Sequence, residues 1–272
     1  MEPTGQSRAA PQIRFDDGAA YEEFMGVWSR LAGESFLQWL APPPRLRWAD
    51  VGCGNGAFTA LLLERCAPHG VQGLDPSAEQ LDFARTRFAD APVQFRQGDA
   101  MALPWPAAVV DVAVMPLVIF FVPDPARGVA EMARVVRPGG TVAAYAWDMA
   151  GGGFPYDALL SELTAMEVDI PGPPHPEASR LDVLESLWLA AGLGDIDTTA
   201  IAVERTFDDF DDYWVTVQGS ASVGSTLKGM PPDARAALIA GLTARLSADA
   251  DGRITCRGVA NAIRGRVASA PR

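Results

Sequence analysis

The apolar positions change period several times along the chain, and each change predicts an element. Tyr21, Phe24, Met25 and Trp28 fall at i, i+3, i+4 and i+7, and Leu31, Ala32, Phe36, Trp39 and Leu40 extend the stripe into a helix. Ala41-Pro42-Pro43-Pro44 ends it, because each proline lacks a donor and restricts the residue before it. Strands and helices then alternate. Continuous apolar runs predict strands at 46–51, 71–74, 93–96, 109–115 and 141–147. Helical spacing predicts helices at 57–66, after Ser77, and at 125–137, with Pro138-Gly139-Gly140 as the stop.

Beyond residue 150 the pattern loosens. Gly151-Gly152-Gly153 reads as a hinge, and Pro171 to Pro176 as a stiff extended loop. A helix at 180–191, a strand at 196–207, helices at 208–218 and 233–247 and a last strand at 253–263 complete the chain. Apolar strands alternating with helices predict a doubly wound α/β protein with a mostly parallel, seven-stranded sheet. The organisation expected is a flexible tail over 1–17, an N-terminal helical cap over 18–44 and a cofactor-binding core over 45–150. Residues 151–272 would finish the sheet, with substrate-cap insertions at 151–190 and 208–250. Ligands of such sheets bind beyond the carboxyl ends of the strands.

Composition narrows the function. Apolar residues make up 49% and charged residues 21% of 272, which suits a folded chain with a sizeable core. No run reaches the ~18 apolar residues of a membrane span. The polar start carries no secretory signal, and a cytoplasmic protein is expected. A net charge of −12 argues against nucleic-acid binding. Cys53, Cys66 and Cys256 are odd in number and far apart, and with two histidines they make no metal spacing. No metal is expected.

The candidate chemistry lies at the strand ends. Gly52, Gly54 and Gly56 follow the first strand and open a helix, where backbone can approach a ligand closely and free N–H groups face an anion. With Ala57 the loop also fits the dinucleotide pattern G-x-G-x-x-A. Asp75 ends the second strand, where a carboxylate can accept from both hydroxyls of a ribose. Asp99 ends the third, at a depth suited to an adenine amino group. Asp50 precedes the loop and can brace its amides.

These motifs bring a resemblance into view. Ala49-Asp50-Val51-Gly52-Cys53-Gly54-Asn55-Gly56 resembles the first motif of class I S-adenosylmethionine-dependent methyltransferases. Gly73-Leu74-Asp75-Pro76-Ser77 resembles their acidic second motif, and Gln97-Gly98-Asp99-Ala100 their third. Residues 110–114 and 131–140 resemble the ubiquinone-biosynthesis-like branch, as does the leading helix from Tyr21. The resemblance covers 21 to about 147. It implies a Rossmann-like methyltransferase fold and S-adenosylmethionine as cofactor. Gly52, Cys53, Gly54 and Gly56 would flank its methionyl part with Pro116 and Leu117. Asp75, beside Pro76, would hold the ribose, and Asp99 with the Ala100 amide the adenine. Many relatives carry a histidine where this chain has Ile119-Phe120-Phe121, which implies a more apolar acceptor pocket.

The expected reaction is in-line methyl transfer to a small, partly apolar or aromatic acceptor, by a monomer or homodimer. Tyr21, Met25, Trp28, Phe120, Asp148 and Tyr156 are candidates for the pocket. His175 is the candidate base by its reference pKa, with Tyr21 as a second catalytic candidate. Two alternatives stand beside this reading: an NAD(P)-dependent oxidoreductase, and a non-catalytic cofactor-binding protein of the same fold.

Overall fold

The fold is taken from a computed structural model that describes residues 22–220 and 223–269. The tail over 1–17 and the side chain of Tyr21 lie outside those residues. Among them the sheet has seven strands in the order β3-β2-β1-β4-β5-β7-β6. The strands are β1 (Arg47–Val51), β2 (Gly70–Asp75), β3 (Val93–Gln97), β4 (Val110–Pro116), β5 (Val136–Trp147), β6 (Leu193–Phe207) and β7 (Ile254–Val267). The first five pair in parallel, and β7 runs antiparallel between β5 and β6.

A π-helical turn over Glu22–Gly26 leads into α1 (Val27–Leu40). Trp28, Ala32 and Phe36 bury the face that the apolar spacing marked. Helix α1 packs on α2 (Ala57–Cys66) and on β6 and β7. Helix α3 (Ala78–Arg87) starts on Ser77, whose hydroxyl accepts from the Gln80 amide. Helix α4 (Pro125–Val135) covers the other face together with α6 (Leu181–Ala190).

Three local expectations are corrected. Helix α4 stops at Val135 rather than Arg137, and β5 begins at Val136, paired with Val110. Pro138 has no N–H to give and disfavours helical geometry at Arg137, so the chain turns extended early. The glycines at 151–153 do not form a free hinge. Asp148 binds the Gly151 amide through Oδ1 at 3.0 Å. Its carbonyl accepts from Gly153 at 2.7 Å, and Gly153 in turn accepts from Val259 at 2.8 Å. Finally, a helix that the pattern did not predict, α5 (Asp157–Ala165), follows this turn.

Beyond β6 come α7 (Phe210–Gln218), α8 (Gly224–Gly229) and α9 (Pro232–Arg245). Asp209 caps α7 by accepting from the Asp212 amide, so the acidic run is a helix start. Helices α5 and α9 pack together and share the Glu162–Arg245 ion pair at 2.7 Å. None of the described helices is long and apolar enough to cross a membrane.

Candidate functional site

Strand register assembles the site. Asp50 stands opposite Gly73 and Val114, and Asp75 opposite Gln97. The loops after β1, β2 and β3 therefore open side by side on one edge of the sheet.

The glycine loop is shaped by backbone conformations that side chains disfavour. Gly52, Gly54 and Gly56 have φ of +78°, +50° and +83°. A β-carbon on Gly52 would stand 2.5 Å from a methyl of Val118, and one on Gly56 would stand 2.5 Å from the Phe88 ring. At Gly54 the nearest atom would be Gln80 Oε1 at 3.8 Å, so the loop is open there. Leu117 follows β4 with φ of +58°, a conformation rare for leucine, held by its amide donating to the Tyr145 carbonyl at 2.7 Å.

Asp75 closes the loop from the neighbouring strand. Its Oδ2 accepts from the Gly54 amide at 2.9 Å and its Oδ1 from the Ser77 amide at 2.9 Å. Each oxygen keeps a lone pair for a further donor. Burial raises its pKa, against these two bonds. Asp50 lies fully buried beneath the loop. Its Oδ2 accepts from the Thr59 hydroxyl at 2.6 Å, while Oδ1 has no partner. Burial pushes its pKa up to about 7, opposed by the Thr59 bond and reinforced by Asp75. Burial likewise lifts the Cys53 thiol, which makes it a small interior side chain and not a thiolate. Asp99 is exposed, and its Oδ1 accepts from the Met101 amide at 2.8 Å.

The residues expected around an acceptor divide into two groups. Met25, Trp28 and Tyr156 are interior rather than an open lining. Trp28 Nε1 donates to the Tyr156 hydroxyl at 2.9 Å, which donates to the Phe24 carbonyl at 3.0 Å, and Phe24 stacks on the Tyr156 ring at 4.4 Å. Their polar atoms are spent on one another. Phe120 and Asp148 follow β4 and β5; Phe120 is buried too, while Asp148 and His175 are half-buried. The His175 amide donates to the Phe120 carbonyl at 3.0 Å, and its ring meets Glu177 Oε1 at 3.1 Å. Ser179 then joins the segments beside Asp148, accepting from the Met149 amide at 3.2 Å and, through its carbonyl, from Asn261 at 3.0 Å.

Sequence reasoning missed Thr59 and Val118. A threonine inside an otherwise apolar helix, one turn beyond the loop, is a signal for Thr59. Nothing in the local sequence marks Val118, whose role arises from the approach of two loops.

The donors and acceptors present fit S-adenosylmethionine. Asp75 offers free lone pairs at a ribose's position, Asp50 holds an orphaned buried oxygen beneath the loop, and Gly54 leaves room above it. Residues 49–144 match the methyltransferase domain family. The chain is 42% identical over 96 residues to the chloroplastic 2-methyl-6-phytyl-1,4-hydroquinone methyltransferase 2 of Oryza sativa subsp. japonica, covering 35% of this chain and 28% of that one. It is 43% identical over 95 residues to trans-aconitate 2-methyltransferase of Azoarcus sp., covering 35% and 36%. The matched stretch thus spans about a third of each relative's length. The fold matches that of the Bacillus subtilis YcgJ protein with a TM-score of 0.60 and 18% identity, over 88% of this chain and 99% of that one. Residues 49–144 therefore form a methyltransferase domain. S-adenosylmethionine is the cofactor of such a domain.

Proposed function

We propose that this chain transfers a methyl group from S-adenosylmethionine to a small acceptor with an apolar, partly aromatic body. The convergence of the glycine loop, Asp75 and Asp99 on the carboxyl ends of three adjacent strands supports this reading most directly. When bound, the cofactor supplies an electrophilic methyl on a sulfonium. The chain's residues bind, orient and exclude water. Gly52, Cys53, Gly54 and Gly56 would flank the methionyl part with Pro116 and Leu117. Asp75 and Pro76 would hold the ribose, and Asp99 and Ala100 the adenine.

Phe120, Asp148 and His175 would border the acceptor. Holding an acceptor in line with the transferred group can lower the barrier by ~7–11 kcal/mol. His175, whose amide donates to the Phe120 carbonyl, has a partly exposed ring and would take a proton from an acceptor that must lose one. The methyltransferase domain leaves the oxidoreductase alternative without support. The names of the two relatives point to a hydroquinone and a tricarboxylic acid, so they do not choose the acceptor.

The test is incubation with S-adenosylmethionine and a panel of phenols, carboxylic acids and amines, read by release of S-adenosylhomocysteine. Release with one class identifies the acceptor chemistry. Cofactor binding without release from any acceptor makes the chain a cofactor-binding protein instead.

A further inference from the structure

Between β3 and β4 the chain crosses from one parallel strand to another without a helix. Such crossovers usually carry one, so the backbone groups of residues 98–109 need other partners. Helix α4 supplies several of them. The Glu131 carboxylate accepts from the Leu103 amide at 2.8 Å. The Arg134 guanidinium donates to the Leu103 carbonyl at 2.9 Å and to the Trp105 carbonyl at 2.8 Å. The same guanidinium grips Glu131 through Nε and Nη2 at 2.6 and 2.7 Å. One ion pair thus holds both the N–H and the C=O of Leu103, while the Leu103 and Trp105 side chains are buried in the core.

This clamp adjoins the turn at Asp99–Ala102. The Ala102 amide donates to the Asp99 carbonyl at 3.0 Å, and the Met101 amide to Asp99 Oδ1 at 2.8 Å. On its other side the turn is tied to the end of β2, where the Gly98 amide donates to the Asp75 carbonyl at 3.1 Å. The turn is therefore suspended between Asp75 and the Glu131–Arg134 pair. Asp99 itself is exposed, so core packing does not fix its position. A guanidinium suits the task, because its rigid fork of five donors can hold a carboxylate and two carbonyls at once. The Arg134 bond also keeps the Glu131 carboxyl below its usual range, so the pair stays ionised.

We propose that Glu131 and Arg134 are positioning residues for adenine recognition. By fixing Leu103 they set where the Asp99 carboxylate and the Ala100 amide stand relative to Asp75. This deepens the proposed methyltransferase function, and it rests on that reading for the adenine at Asp99 and Ala100. It also gives a role to two residues of the 131–140 stretch, which lie i and i+3 on one face of α4. An adenine offers Asp99 an amino donor and offers the Ala100 amide a ring-nitrogen acceptor. Hypoxanthine reverses both, presenting a carbonyl and an N–H. A turn held in place rejects the second base through those two mismatches, whereas a loosened turn can move away from them.

The test is calorimetric titration of the full chain with S-adenosylhomocysteine and with S-inosylhomocysteine. The unaltered chain should bind the adenine compound about tenfold or more tightly than the hypoxanthine one. Arg134→Met and Glu131→Gln should each shrink that ratio at least about threefold, chiefly by weakening S-adenosylhomocysteine. Arg134→Lys should fall between, because an ammonium cannot hold a carboxylate and two carbonyls in one fixed plane. Glu131→Gln keeps the side-chain shape and an oxygen for the Leu103 amide, so it carries the test should Arg134→Met fail to fold. A pair that only stabilises the fold would weaken both compounds alike. Equal weakening of the two, an unchanged ratio in the folded variants, or no base preference in the unaltered chain overturns the inference and leaves the methyltransferase reading standing. Failure of the unaltered chain to bind S-adenosylhomocysteine at all rejects that reading, and the inference with it.

Discussion

Val118 occupies the space that a β-carbon on Gly52 would need, its two methyls lying 2.5 and 2.6 Å from that position. The loop after β4 thus presses on the loop after β1, and the shape of the glycine loop depends on a residue 66 positions away in sequence. Gly52→Ala meets two costs. The left-handed backbone costs an L-residue roughly 1–2 kcal/mol, and the overlap costs about 1–3 kcal/mol. Urea unfolding should show a loss of about 2–5 kcal/mol. Adding Val118→Ala should recover the steric share and leave the backbone share. An additive double variant would mean that the two loops do not press on each other.

Asp50 should make stability depend on pH. Its folded pKa, about 7, lies above the ordinary value, so the unfolded chain releases this proton first as pH rises. The folded state is therefore favoured by this group at low pH, and that advantage is lost between about pH 4 and 7. The loss is on the order of 4 kcal/mol for a fully buried group. Asp75 is also raised by burial and contributes in the same direction. Denaturant unfolding of Asp50→Asn from pH 4 to 8 should show a flatter profile than the unaltered chain. An unchanged slope would place the dependence elsewhere.

Much of the sheet was legible because central strands such as β4 are apolar on both faces and the helices carry one clear stripe. Val112 to Met115 and the Trp28–Ala32–Phe36 face are buried as their spacing requires. The loops of the candidate site were legible as loops because glycines and aspartates fall at the ends of consecutive strands. The acceptor side was not. Met25, Trp28 and Tyr156 look the same in sequence whether they line a pocket or pack together. Only the Trp28–Tyr156–Phe24 hydrogen-bond chain, joining residues 128 and 132 positions apart, shows that they pack.

That hydrogen-bond chain makes its own prediction. Tyr156→Phe leaves Trp28 Nε1 and the Phe24 carbonyl without these partners in the interior. Each orphaned group costs ~1–3 kcal/mol, so a loss of about 2–6 kcal/mol is expected. Thermal unfolding checks it, with S-adenosylhomocysteine affinity expected to persist because the phenol braces the leading helix rather than the glycine loop. A stability change below about 0.5 kcal/mol, the scale of ordinary surface substitutions, would contradict the bracing role.

His175 is proposed to act on the acceptor and not on the cofactor. His175→Ala should lower kcat while leaving S-adenosylhomocysteine affinity intact. Full turnover by the variant would remove His175 from the chemistry.

The central claim is that Asp75 both closes the glycine loop and receives a ribose. Calorimetric titration with S-adenosylhomocysteine tests it most directly, comparing the unaltered chain with Asp75→Ala. Losing hydrogen bonds to a charged group costs about 1.5–3 kcal/mol each, so the variant should bind at least about tenfold more weakly. Micromolar binding by the unaltered chain and that loss in the variant are the predicted results. Equal affinity in both proteins, or no binding by the unaltered chain, would contradict the account.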